Sequence, residues 1–170
     1  MIYEYKGKKP IIHETAYIAE DAVITGDVQI DKSVSIWFKT VIRGDVAPVT
    51  IGQNSNIQDL SLLHQSPDMP LVIEDNVTIG HQVTLHSAII RNKALVGMGS
   101  IILDGAEIGE QAFIGAGSLV PPGKKIPPRT LAFGRPAKVI RKLTEKDINE
   151  MERILNSYME KGQYYKQLQK

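Results

Sequence analysis

The chain has 170 residues, of which 42% are hydrophobic and 23% charged, so it can supply one folded core. Its 20 basic and 19 acidic residues nearly cancel, which gives no electrostatic basis for binding nucleic acid or an anionic membrane. We expect a cytoplasmic protein, because the sequence has no cysteine, no apolar run of membrane-spanning length and no apolar signal-peptide core at its start.

Aliphatic residues recur at every sixth position through most of the chain. Separate runs begin at Ile12, Ile51, Ile73 and Ile90, and the last run extends to Ile126. A period of six fits neither a helix nor a simple alternating strand, and it is typical of a short strand followed by a sharp turn. Glycine often follows the aliphatic residue, and we expect it to adopt turn conformations closed to other residues. The repeat predicts a parallel β-helix with an aliphatic interior.

Three irregularities interrupt this period. Extra residues occur within 42–51 and within 63–73, and one residue is missing within 85–90. The two insertions contain Pro48, Pro67 and Pro70. Proline is typical of turns, so both insertions are predicted to form loops that leave the β-helix at a corner.

The pattern changes near residue 140. Apolar residues from Ile148 to Tyr158 are spaced as on one face of a helix, and Thr144 with Asp147 resembles a capping arrangement. The sequence therefore predicts a β-helix domain over 1–140 and a C-terminal segment, 141–170, whose helix packs along the β-helix.

Three of the four histidines are predicted to lie on neighbouring faces. With three repeats in each coil, residues three repeats apart lie above one another at about 4.8 Å. This rule aligns Arg43, His64 and His86 in one column. His81 lies one repeat earlier and therefore belongs to the preceding face. His13 lies outside the column and is expected to be an ordinary surface residue.

A trimer would bring these histidines together. If its threefold axis is parallel to the β-helix, the His81 face of one subunit meets the His64 and His86 face of the next. Three imidazoles with an open position form a catalytic zinc site, and imidazole also suits Fe²⁺ and Co²⁺. The sequence thus predicts a homotrimer whose metal ligands are His64, His81 and His86.

The whole chain resembles the γ-class carbonic anhydrases, which are hexapeptide-repeat proteins. The matching motifs are RGD at 43–45, NIQD at 56–59, LLHQ at 62–65 and GHQVTLH at 80–86. The resemblance implies a left-handed, three-faced prism that reversibly hydrates CO2 to bicarbonate by metal-bound hydroxide. It further implies that Gln58 orients the metal-bound water. An ion-pair network at the interface is implied for Arg43, Asp45 and Asp59.

One segment departs from this family. Its best-known members carry glutamates in an acidic loop near the site as a proton shuttle, whereas the segment DVAPVTIG has no acid after Asp45. Hydration is then expected to be slow, buffer-dependent or absent. Tyr158, Tyr164 and Tyr165 are candidate substitutes for the shuttle.

Three other functions remain open from the sequence. The same metal site could hydrolyse a small acyl thioester. Hexapeptide-repeat proteins also commonly transfer acyl groups from coenzyme A, typically with one histidine base and no metal. Finally, the metal could merely pin a non-catalytic trimeric scaffold; an exchangeable water would favour catalysis, and a fourth protein ligand would favour the scaffold.

Overall fold

The structure, a computed structural model, describes residues 1–169, over which the chain forms twenty strands and one helix. In chain order the elements are β1 (Ile2–Tyr3), β2 (Ile11–Ile12), β3 (Tyr17–Ile18), β4 (Val23–Ile30), β5 (Ser35–Ile36), β6 (Val41–Ile51), β7 (Asn56–Ile57), β8 (Leu62–His64), β9 (Leu71–Ile73), β10 (Thr78–Ile79), β11 (Thr84–His86), β12 (Ile89–Ile90), β13 (Leu95–Val96), β14 (Ile101–Ile102), β15 (Glu107–Ile108), β16 (Phe113–Ile114), β17 (Leu119–Val120), β18 (Lys125–Ile126), β19 (Thr130–Gly134), β20 (Ala137–Lys142) and α1 (Glu145–Leu168). Most strands span only two or three residues, as the six-residue repeat predicts.

The strands stack into the three faces of a left-handed parallel β-helix with about seven coils. The first face contains β8, β11, β14 and β17, and the second contains β9, β12, β15 and β18. The third face contains β3, β5, β7, β10, β13, β16 and β19, and it ends in β20, which pairs with β19 in the antiparallel direction. The predicted β-helix is confirmed, whereas the terminal antiparallel hairpin was not predicted.

The aliphatic residue of each repeat forms a continuous ladder inside the β-helix. On the first face, Ile42 pairs with Leu63, Leu63 with Leu85, and Leu85 with Ile102. All four side chains have 0% exposure. Burial of a side chain of this size contributes about 1.5–3 kcal/mol relative to leaving it exposed, so the ladder is the main stabilising element of the fold.

Two long strands, β4 and β6, continue across the corner between the first and second faces. Their register shifts between Gly26 and Val28, where residues of β6 that include Pro48 form a bulge before Val49 pairs with Val28. The prediction of a loop at Pro48 is therefore wrong: the extra residues lengthen a strand, and the bulge tolerates proline because it needs no ladder donor there. The second insertion is a loop between β8 and β9, as predicted.

Glycines that follow the aliphatic residue allow neighbouring coils to approach closely. A Cβ atom on Gly80 would lie 2.6 Å from the backbone nitrogen of Met98. Several left-handed turn positions are instead occupied by other residues, such as Leu60 with φ 64° and Gln82 with φ 58°. The predicted turn role is thus wrong for Gly80. A left-handed conformation is found instead at Gly99, three residues after the aliphatic Val96, where φ is +68°.

Helix α1 packs against the third face. The Thr144 hydroxyl accepts a hydrogen bond from the Asp147 backbone N–H at 3.3 Å, and the Asp147 carboxylate accepts one from the Thr144 N–H at 2.7 Å. This is the predicted capping box. The rings of Trp37 and Tyr165 pack with centroids 5.3 Å apart and fix the far end of the helix. Over residues 1–169, no helix has both the length and the apolarity needed to cross a membrane.

Candidate metal centre

His64 and His86 lie side by side on adjacent coils of the first face. Strands β8 and β11 pair in register, which places His64 opposite His86. Arg43 follows Ile42, the residue that pairs with Leu63, and therefore lies on the coil below His64. The Nδ1 atom of His64 is 3.2 Å from the Nε2 atom of His86. The structure thus brings together the column expected from the repeat.

A carboxylate contacts the outer nitrogen of each ring in this pair. Asp45 Oδ1 lies 3.1 Å from Nε2 of His64, and Asp104 accepts a hydrogen bond from Nδ1 of His86. The hydroxyl of Ser66 donates a hydrogen bond to the other Asp104 oxygen at 2.7 Å. The hydrogen bonds from His86 and Ser66 lower the pKa of Asp104, so its carboxylate is charged at neutral pH.

Nε2 of His64 has two alternative partners. It lies 2.7 Å from Nη2 of Arg43 as well as 3.1 Å from Asp45. A ring nitrogen either accepts from the guanidinium or donates to the carboxylate, so the position of one proton selects the partner. With the proton on Nδ1, His64 accepts from Arg43 and donates to His86. With the proton on Nε2, it donates to Asp45 and leaves a lone pair directed at His86.

The distance between the inner nitrogens suits two ligands of one cation. Two imidazole nitrogens at 2.0–2.1 Å from a tetrahedral Zn²⁺ ion are about 3.3 Å apart. The separation between Nδ1 of His64 and Nε2 of His86 is 3.2 Å. Metal-binding histidines also commonly hold a carboxylate on the other ring nitrogen. The residues of this pair therefore fit a divalent cation.

His81 lies at the corner that follows β10, away from the other two histidines. Its Nδ1 atom is 2.7 Å from Asp59 Oδ2, and its Nε2 atom is 3.2 Å from the hydroxyl of Tyr158. Burial and the nearby Asp59 charge raise the pKa of Tyr158, which keeps the proton on its hydroxyl. Within residues 1–169, no three side chains of the His, Asp or Glu type converge as a metal site. The described chain brings His64 and His86 together, and His81 lies apart from them.

A mostly apolar cavity of about 310 Å³ adjoins His81. Its lining includes Gln58, Met98 and Tyr158. Gln58 is 4% exposed, and its side-chain amide donates a hydrogen bond to Asn56 at 3.1 Å. Gln58 therefore lies with His81 and not with the pair on the first face.

The charged residues expected in one network lie at two separate places in the chain. Arg43 Nε lies 3.7 Å from Asp45 Oδ2, beside His64. Asp59 instead contacts His81. His13, expected outside the column, bonds with the hydroxyl of Thr15 at 2.9 Å.

Asp104 and Ser66 were not identified from the sequence. The stacking rule that aligns Leu85 with Ile102 brings the segment after β14 beside His86, so one more coil of counting would have indicated Asp104. Ser66 lies in the second insertion, where the six-residue period is lost, and no repeat pattern predicts its position.

Known proteins resemble this chain over nearly its whole length. Residues 87–122 match the bacterial transferase hexapeptide (six repeats) family. A protein of Geobacillus kaustophilus named carbonic anhydrase is 72% identical over 169 residues, covering 99% of this chain and 93% of that protein. The uncharacterized transferase YtoA of Bacillus subtilis is also 72% identical over 169 residues, covering 99% of both chains.

A solved structure shares the same architecture. The crystal structure of a putative acetyltransferase from Bacillus cereus matches with a TM-score of 0.98 and 67% identity, covering 99% of this chain and 98% of that one. The names of these relatives differ, but each comparison covers 99% of this chain. The chain belongs to the γ-carbonic-anhydrase-like family of hexapeptide-repeat proteins.

Proposed function

We propose that the protein is a trimeric, divalent-metal-dependent enzyme that reversibly hydrates CO2 to bicarbonate. The observation that carries this proposal is the 3.2 Å separation between the inner nitrogens of His64 and His86. Their outer nitrogens face Asp45 and Asp104, as expected for metal ligands. The identity to a protein named carbonic anhydrase supports the same chemistry. Zn²⁺ held by histidines lowers the pKa of a bound water toward neutrality, and Fe²⁺ or Co²⁺ could occupy such a site.

The third ligand in this proposal is His81 of a neighbouring subunit. One subunit supplies a convergent pair only, and three histidines with an open position are what a catalytic zinc site requires. The contact between Asp59 and Nδ1 of His81 leaves Nε2 as the nitrogen available to a cation. Its partner in the structure is the Tyr158 hydroxyl, and metal binding at Nε2 requires this hydrogen bond to break.

The remaining residues act around these ligands. Asp45 is assigned to holding His64 in the tautomer whose Nδ1 carries a lone pair, because its carboxylate accepts from Nε2. In this state the Arg43 guanidinium pairs with Asp45 and not with Nε2 of His64. Asp59 orients His81 in the same manner. Gln58, in the cavity beside His81, is assigned to hydrogen-bonding a water or a substrate oxygen.

The direct test combines metal analysis with stopped-flow CO2 hydration. The purified protein should contain about one divalent ion per chain, and chelation should remove hydration activity that zinc restores. His86→Ala should lose both the ion and the activity. Metal-loaded protein that hydrates CO2 no faster than the metal-free form would disprove the proposed reaction.

Hydrolysis of a small acyl thioester is the second candidate. It is favoured by the cavity of about 310 Å³ beside His81, because this space is larger than CO2 needs and its lining suits an acyl chain. Release of free thiol from short acyl-coenzyme A substrates would measure this activity. Dependence on the same metal would separate hydrolysis from metal-independent acyl transfer, and the absence of any turnover by a metal-loaded trimer would leave the scaffold function.

A further inference from the structure

We propose that Asp104, held in place by Ser66, fixes the tautomer of His86 and makes Nε2 the nitrogen that faces His64. Asp104 accepts the Nδ1 hydrogen of His86, so in the neutral ring the proton is on Nδ1 and the lone pair is on Nε2. Asp104 and Ser66 are positioning residues, since they act through His86. The value of this arrangement for metal binding depends on the proposed function, whereas the tautomer itself does not.

Asp104 is anchored by the coil above it. The backbone carbonyl of Asp104 accepts a hydrogen bond from Gly123 at 2.8 Å, and the preceding Leu103 donates to Val120 at 3.1 Å. Asp104 is therefore held at two points: its backbone is bonded to the next coil, and its second carboxylate oxygen is bonded to Ser66. Such a rigid acceptor can hold the imidazole of His86 in one orientation.

The position of Ser66 arises from two irregularities of the repeat. Ser66 lies in the second insertion, and its backbone N–H donates to the Ser87 hydroxyl at 2.7 Å. Ser87 lies in the shortened turn after β11, has φ 46°, and donates its own N–H to the His64 carbonyl at 3.1 Å. The insertion and the deletion thus join beside the histidine pair and direct a hydroxyl group at Asp104.

The contact between Asp104 and His86 should strengthen the binding of a cation by Nε2 of His86. A charged acceptor on Nδ1 raises the basicity of Nε2 and prevents the ring from turning, and loss of such a partner typically weakens metal affinity 10- to 100-fold. Without an acceptor on Nδ1, either nitrogen can carry the proton. His86 then presents a lone pair to the site for only part of the time.

The tautomer can be measured in the metal-free protein by ¹⁵N NMR of histidine-labelled samples. Wild-type His86 should carry its proton on Nδ1. Asp104→Ala should give a mixture of tautomers, and Asp104→Asn should largely restore the wild-type form, because the amide oxygen also accepts from Nδ1. Wild-type His86 protonated on Nε2 would overturn the proposal, as would an unchanged tautomer in Asp104→Ala.

Metal affinity supplies the second readout, by competition with a chromophoric chelator for Zn²⁺ and by the absorption spectrum of Co²⁺. Asp104→Ala should bind Zn²⁺ 10- to 100-fold more weakly, with Asp104→Asn intermediate. Ser66→Ala should weaken binding by about 2- to 10-fold, the effect of one hydrogen bond. The control is Glu107→Gln, which removes a carboxylate that pairs with Arg91 at 2.8 Å, and it should change neither readout.

The two readouts separate the possible failures. If wild type binds no metal but Asp104→Ala changes the tautomer of His86, the proposed function fails and the positioning role stands. If wild type binds Zn²⁺ and Asp104→Ala binds it equally well with the same tautomer, the positioning role is overturned and the proposed function stands.

Discussion

The hydroxyl of Tyr158, on α1, lies 3.2 Å from Nε2 of His81 on the third face. In a single subunit this hydroxyl donates to the nitrogen that we assign to the metal. We therefore expect Tyr158→Phe to bind Zn²⁺ more tightly, because the cation no longer competes with a hydrogen bond. Such a bond is worth about 0.5–1.5 kcal/mol, which corresponds to roughly a 2- to 10-fold gain in affinity.

Competition titration against a chelator measures this effect. Tyr164→Phe is the matched control, since Tyr164 is 61% exposed on the same helix, and its affinity should equal that of wild type. Weaker binding by Tyr158→Phe would contradict the prediction and would show that the hydroxyl supports the bound state.

Mixed refolding tests whether each metal site is shared between subunits. His64→Ala and His81→Ala should each lose tight metal binding, since every site in either homotrimer lacks a ligand. In a mixed trimer, one interface joins a chain that retains His64 and His86 to a chain that retains His81. Metal binding should then return at about one third of the sites of each mixed trimer.

Native mass spectrometry can report the composition and the metal content of these trimers together. Each variant refolded alone provides the control. Mixed trimers that bind no more metal than the separate variants would show that the three histidines do not meet across an interface.

Arg43→Ala should weaken trimer association. Arg43 has 46% side-chain exposure on the face assigned to the interface, and its charge has Asp45 as a neighbour at 3.7 Å. Without Arg43, the Asp45 carboxylate would be buried at the proposed interface with no cation beside it. Sedimentation at low micromolar concentration should show dissociation of Arg43→Ala, whereas Arg153→Ala, on the exposed side of α1, should sediment as wild type does.

Glycine substitutions should separate close coil packing from turn conformation. An alanine at position 80 would place its Cβ 2.6 Å from the backbone of Met98, which cannot move without separating two coils. Gly99 has φ +68° and open space around it, so Gly99→Ala should cost only the left-handed strain of about 1–2 kcal/mol. Chemical denaturation should therefore show a larger loss for Gly80→Ala, and equal losses would contradict this explanation.

Alkaline pH should destabilise the region around Tyr17. Burial, followed by the effect of Tyr165, raises the pKa of Tyr17 to about 12. The pKa of Tyr17 in the folded protein exceeds its unfolded value of about 10. The contribution of protonated Tyr17 to the free energy of unfolding is therefore fully present below pH 10 and is lost as the pH rises toward 12. The melting temperature of Tyr17→Phe should fall less than that of wild type over this interval. Parallel pH profiles for the two proteins would exclude this cause.

The repeat made the fold and the histidine column predictable from sequence. Counting three repeats per coil places His64 opposite His86 because the aliphatic ladder admits only one register. Counting could not reveal how the extra residues near Pro48 are accommodated, since a loop and a bulged strand have the same length. The bulged strand forms because β6 pairs with β4, and this pairing joins residues that are distant in sequence.

Side-chain partners were less predictable than backbone positions. Gln58 and Asp59 belong to one motif, NIQD, but the directions of their side chains depend on the corner at which the coil turns. Ser66 reaches Asp104 across 38 residues of sequence, through a loop that has no period. Contacts of this kind arise from the packing of irregular segments on a regular frame, and periodicity carries no information about them.

The final strand, β20, closes the end of the third face. A parallel β-helix ends in strands with unpaired backbone groups, which can recruit another chain and start a filament. Here the third face ends in a strand of opposite direction, whose sequence AKVIRK contains three cationic residues at Lys138, Arg141 and Lys142. A second molecule that approached this end would meet repelling charge and a strand running the wrong way for a further coil. The hairpin therefore opposes end-to-end association along the third face.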